Sequence, residues 1–179
     1  MPVRWTCWMD QTSESKLHVG RSHYDANYGN FHTELYEQIR REAFGEDIGQ
    51  NSWLTANEQD RFLSWLNLFP SKTLLDVACG AGGPALRIAA ITSCSVVGID
   101  IHEQGVSTAC LLAAQRGSSG IAKFRVVDAA QPLPFPDASF DAITCIDAIN
   151  HLPNRLHTVT AWARLLSRAG GYCSPTPPP

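Results

Sequence analysis

The sequence predicts a doubly wound α/β domain on a mostly parallel sheet, preceded by a helical N-terminal extension. Three observations carry this. After Ser71, short runs of Val, Ile and Leu recur without polar alternation, as strands covered on both faces require. Helical stretches separate these runs, giving the alternating order from which parallel sheets are built. The first run leads directly into Cys79-Gly80-Ala81-Gly82-Gly83-Pro84, a glycine-rich turn opening a helix.

Residues 1–70 form the extension. Phe31, Leu35, Ile39 and Ala43 recur at four-residue spacing and predict a helix from His32 with that apolar face, ended by Gly45. A second helix starts at Thr55, whose hydroxyl forms a capping box with Glu58. Phe62, Leu63, Trp65 and Leu66 give its apolar face, and Pro70 closes it. Residues 71–173 form the α/β domain, with strands expected over 73–78, 95–99, 124–127 and 140–146 and helices over 84–91, 103–116 and 156–167. Gly170-Gly171 reads as a turn, and Tyr172 and Cys173 begin a fifth strand. Residues 174–179 follow as a Pro-rich tail expected to be disordered.

With 179 residues, 44% of them hydrophobic, and a net charge of −3, the chain supports one globular core. No basic run points to nucleic acid or a membrane surface. No apolar segment approaches the roughly 20 residues that span a bilayer. The first ten residues lack an apolar signal-peptide core, so a cytoplasmic location is expected. The six cysteines form no Cys-x-x-Cys pair, which favours reduced, mostly buried thiols and no metal site.

The glycine loop by itself is ambiguous. Gly80-x-Gly82-x-x-Ala85 satisfies a dinucleotide fingerprint, so an NAD-dependent dehydrogenase stays open. Asp100 ends the second strand, where a carboxylate accepts ribose hydroxyls from either kind of cofactor. Asp76, within the first strand, would repel a pyrophosphate and welcome an amino group. Asp128-Ala129 ends the third strand, positioned for an adenine edge. Three such acids suit a cofactor with an amine, a ribose and an adenine but no phosphate.

Leu75-Asp76-Val77-Ala78-Cys79-Gly80-Ala81-Gly82-Gly83, Val97-Gly98-Ile99-Asp100-Ile101, Asp128-Ala129 and Leu133-Pro134-Phe135-Pro136-Asp137-Ala138-Ser139-Phe140-Asp141 occur in order. Together they resemble the motifs of class I, Rossmann-like S-adenosylmethionine-dependent methyltransferases, in the type 11 small-molecule branch. The resemblance implies S-adenosylmethionine as cofactor, with Asp76 near its methionine amino group and Ala78, Gly80 and Gly82 beneath. It further implies Asp100 on the ribose, Ile101 on the adenine, Asp128 and Ala129 at the adenine amino group, and Ile146 beside the cofactor. Residues 146–151 resemble the Asp-x-x-x-His segment of phosphoethanolamine and sarcosine/dimethylglycine N-methyltransferases. By that analogy Asp147 bounds the transfer site, His151 is the base or acceptor anchor, and the small-molecule acceptor is an amine nitrogen. The alternative is that Asn150 and His151 cap the next helix.

Residues 45–53 resemble a polar loop that covers the methionine end in those enzymes. Tyr24 and Tyr28 lie where they carry a tyrosine over the cofactor. The alternative is a surface loop with Trp53 in the core. The family sheet has seven strands, so its last strands are expected to be missing here. That would leave the fourth strand an unpaired apolar edge for self-association. Two readings stand from this, a truncated small-molecule methyltransferase and a non-catalytic cofactor-binding remnant or partner subunit; the dehydrogenase is third.

Overall fold

The five apolar runs pair into one parallel sheet, of order β3-β2-β1-β4-β5, in a computed structural model that describes residues 27–173, with side chains through Ser167. Tyr24, Cys7 and the proline tail lie outside the described residues. The strands are β1 (Thr73–Val77), β2 (Ser95–Asp100), β3 (Ala122–Val126), β4 (Phe140–Thr144) and β5 (Leu166–Cys173). The helices are α1 (Glu34–Phe44), α2 (Ala56–Leu66), α3 (Gly83–Thr92), α4 (Glu103–Gln115) and α5 (Arg155–Ala163). The expected Rossmann-like, doubly wound class is the one observed.

Alternate residues of each strand serve two different cores, because successive side chains point to opposite faces. Leu74, Val96, Phe124 and Ala142 pack with Phe62 and Leu66 of α2, Leu86 of α3 and Ala109 of α4. Leu75, Ile99 and Ile143 face the other way, onto Trp162 of α5 and Leu133 of the β3–β4 connection. The chain winds outward from β1 through β2 to β3, then crosses to β4 on the other side. The reversal lies between β1 and β4, where open α/β sheets bind ligands.

Three expectations change. The α1 stripe is not inward: Leu35 is 63% and Ile39 49% exposed, while Phe31 and Arg40 are buried. The reason is the polar partner of Arg40, described below, which outweighs the apolar spacing. Helix α2 has the expected capping box, with the Thr55 hydroxyl accepting from the Glu58 amide at 3.2 Å. It ends at Asn67 in the left-handed conformation rather than at Pro70, and Trp65 faces solvent.

The third change concerns the sheet edge. β5 starts at Leu166 and pairs with β4 as far as Thr144 opposite Cys173, so β4 has neighbours on both sides. The unpaired edge expected for β4 is therefore absent, and β5 is the edge strand. The register slips between Phe140/Leu166 and Ala142/Gly171. The two glycines read as a turn sit in that slip, since a strand can bulge where side chains are absent.

Candidate functional site

At the reversal, Asp76 is 3% exposed and accepts a 2.7 Å hydrogen bond from the Thr144 hydroxyl, its register partner on β4. Burial pushes its carboxyl up to about 7; the Thr144 bond opposes the rise and the charge of Asp100 adds to it. The loop beyond β1 takes left-handed backbone at Ala78 (φ 57°), Gly80 (φ 52°) and Gly82 (φ 75°). It is tied across to β2. The Cys79 amide donates to the Ile99 carbonyl at 3.0 Å, and the Gly80 amide to Asp100 Oδ2 at 2.8 Å. The His102 amide donates to Asp100 Oδ1 at 2.8 Å. Burial raises the Asp100 carboxyl, with the amides of His102 and Gly80 pulling it back.

A cavity of about 50 Å³ lies over this loop. Asp76, Ala78, Gly80 and Ile146 line it, together with Tyr28, Asn51 and Ser52. Four of the expected cofactor residues are thus brought together. Gly82 is not among them: a Cβ there would lie 2.8 Å from the Ala109 Cβ and 2.9 Å from the Phe124 ring, so it serves helix–sheet packing. At Gly80 a Cβ would instead meet the Tyr28 hydroxyl at 2.7 Å. Tyr28 is buried and lies 4.9 Å from the His102 ring, centroid to centroid. Ile101, 43% exposed, follows β2, and the Asp128 carboxylate, following β3, accepts from the Ala130 amide at 2.8 Å. Ala129 is buried in the second core.

Loop 46–53 is held by polar contacts. Arg40 donates to both Asp47 oxygens, at 2.7 and 3.1 Å, and to the Phe31 carbonyl at 2.9 Å, and stacks 4.2 Å over the Phe31 ring. Burial raises the Asp47 carboxyl, but Arg40 and the Gly49 amide outweigh it and leave it below the usual range. The backbone of Ile48 and Gly49 packs onto Gly83 so closely that any Cβ at Gly83 would collide with it. Gln59 of α2 donates to the Pro84 carbonyl at 3.0 Å, joining the extension to the first turn of α3. Sequence reasoning missed Gln59, Thr144 and the packing role of Gly83; for Thr144 the available signal was a hydroxyl inside the fourth apolar run, beside the strand that carries Asp76.

The same loop borders a second cavity, of about 360 Å³. Trp53, Leu54, Phe62, Trp65, Ile146 and Asp147 line it, with Glu58 and Arg61. The Trp53 amide donates to Asp147 Oδ2 at 2.8 Å, and Asp147 itself has φ 52°. Trp53 is 83% exposed, so it is a wall residue rather than a core one. His151 ends a short 3-10 turn (Ile149–His151), is exposed, and lines neither of these cavities. Neither it nor Asn150 caps α5, whose N-cap is Asn154.

Comparison with known proteins agrees with this architecture. A family profile described as a methyltransferase domain matches residues 75–174. The 27-O-demethylrifamycin SV methyltransferase of Amycolatopsis mediterranei is 32% identical over 77% of this chain and 53% of its own length. A sterol 24-C-methyltransferase of Gibberella zeae is 34% identical over 80% of this chain and 38% of its own. The solved structure of the [4+2]-cyclase SpnF superposes with a TM-score of 0.65 at 28% identity, over 82% of this chain and 55% of that one. The chain thus spans about half, or less, of the length of these relatives. Among the described residues no helix is long and apolar enough to cross a membrane.

Proposed function

The chain belongs to the S-adenosylmethionine-dependent methyltransferases, and from that premise we propose that it binds this cofactor at the β1/β4 reversal and directs its methyl group to a small molecule in the Trp-lined cavity. One observation carries the reading: Ile146 lines both cavities, so the two binding spaces meet beside Asp147. The residues present fit the cofactor. Asp76 offers a buried carboxylate for an ammonium group, and Gly80 leaves space that a Cβ would take from Tyr28. An ionised Asp76 beside the glycine loop would repel a pyrophosphate and attract an ammonium group.

In this reading Asp76 holds the amino group and Ala78 and Gly80 floor its pocket. Asp100 takes the ribose, Ile101 and Asp128 with Ala129 take the adenine, and loop 45–53 with Tyr28 acts as the cover. The cofactor supplies an electrophilic methyl on sulfonium. The protein's part is to align the acceptor in line with it and exclude water. The amine acceptor suggested by the Asp147/His151 pattern loses its second member, because His151 stands outside the cavity. The named relatives methylate a sterol and a rifamycin.

Calorimetry with S-adenosylhomocysteine and with NAD tests this. Saturable binding of the first alone, lost in Asp76→Ala, is expected. Binding of NAD with no binding of S-adenosylhomocysteine would overturn the assignment.

A further inference from the structure

The second cavity has a chemistry of its own. Its volume of about 360 Å³ suits a compact small molecule, within the ordinary range for ligand sites. Leu54, Phe62 and Ile146 are apolar, and Trp53 and Trp65 leave 83% and 72% of their surface open. Two exposed indoles on one cavity are costly to leave in water and offer broad, rigid faces to a flat partner.

The charged groups narrow the choice further. Glu58 is committed to its helix, accepting from the Thr55 amide and hydroxyl at 2.9 and 2.7 Å. Arg61 sets one positive charge against the two carboxylates of Glu58 and Asp147 on the same cavity, which leaves the indoles and apolar side chains as its main recognition surface. Asp147 has one oxygen, Oδ2, occupied by the Trp53 amide; Oδ1 has no partner among the described residues. A single acceptor oxygen at the junction of two cavities calls for a single hydrogen-bond donor on the guest.

We propose that this site takes a flat, largely apolar ring compound bearing a hydroxyl, selected by Trp53 and Trp65, with Asp147 receiving the hydroxyl hydrogen bond. This rests on the methyl-transfer reading. In the reaction the acceptor oxygen forms its bond to the methyl carbon as the carbon–sulfur bond breaks. That electron pair stays on sulfur, and the hydroxyl proton passes to Asp147. The products are a methyl ether and a neutral thioether.

The probe is 2-naphthol, titrated calorimetrically into the full chain with S-adenosylhomocysteine present, and ethanolamine is the amine comparison. Saturable naphthol binding, weakened at least tenfold in Trp65→Ala and in Trp53→Ala, with ethanolamine not binding, is expected. Both indoles are exposed, so these variants should fold, and a urea melt matching the parent's reports that they have. Naphthol binding unchanged in both variants, or ethanolamine binding in place of naphthol, overturns the proposal while the cofactor reading stands. Failure of the parent chain to bind S-adenosylhomocysteine overturns the cofactor reading instead.

Discussion

The Gly80 amide donates to the Asp100 carboxylate at 2.8 Å, so the glycine loop is shaped by an acid at the end of the neighbouring strand. The other Asp100 oxygen is held by the His102 amide. Asp100 therefore organises two loops. Asp100→Ala leaves both amides without this acceptor, each bond to a charged group being worth about 1.5–3 kcal/mol. Because desolvation of the carboxylate offsets part of these bonds, the variant should lose about 1–3 kcal/mol of stability in urea melts and bind S-adenosylhomocysteine at least tenfold more weakly. A variant with the parent's melt and affinity would refute the dual role.

The role proposed for Asp76 predicts that cofactor binding depends on pH. Burial raises its carboxyl to about 7, so the folded state holds a proton that the unfolded state has released above the ordinary carboxyl range. Between about pH 4 and 7 this group lowers stability as pH rises, since the folded state binds the extra proton. A cofactor ammonium requires the ionised form. Affinity for S-adenosylhomocysteine should therefore climb by up to about tenfold per pH unit below pH 7 and level off above it. Calorimetry across pH 5.5–8.5 checks this, and Asp76→Asn should flatten the profile. A flat profile in the parent would show that no proton leaves on binding.

The two loop glycines should fail differently. Gly82→Val drives a branched side chain into Ala109 and Phe124 from a backbone at φ 75°. Overpacking and left-handed strain together cost on the order of 2–5 kcal/mol, so the loss appears in the melt. Gly80→Ala meets the Tyr28 hydroxyl, the end of a movable side chain, at φ 52°. Its loss should appear mainly in cofactor affinity, with about 1–2 kcal/mol of stability lost to backbone strain. Equal melts for the two variants would contradict the separate surroundings of Gly80 and Gly82.

On the acceptor side, Asp147→Asn should slow methyl transfer by roughly 10²-fold or more, since a positioned proton acceptor contributes about that much. His151→Ala, altering an exposed side chain outside both cavities, should stay within about tenfold of the parent. The measurement is turnover on a hydroxylated ring acceptor from pH 6 to 9. A large loss in His151→Ala alone would restore the histidine as the base.

What was legible in the chain was what short-range chemistry writes there. The capping box from Thr55 to Glu58 spans three residues, and the expected helix start is where it forms. The uninterrupted Val/Ile/Leu runs foretold strands covered on both faces, and their ends placed Asp76, Asp100 and Asp128 on one edge of the sheet. Trp65 misled because an aromatic at helical spacing reads as core whether it faces the core or an open cavity. Leu35 and Ile39 misled for a related reason. Their spacing is that of a buried face, but Arg40 on the same helix had a stronger claim to the interior through Asp47 and Phe31.

The sequence by itself determined the doubly wound class, the glycine loop and the acids around it, because each depends on neighbours a few residues away or on strand ends that the fold class aligns. The wall of the second cavity was decided by tertiary structure alone. Trp53 and Asp147 are 94 positions apart and meet through one backbone amide, a group every residue but proline carries and no side-chain pattern advertises. The extended β5 was likewise decided by pairing: Gly170 and Gly171 favour a turn locally, and the ladder with β4 holds them in a strand.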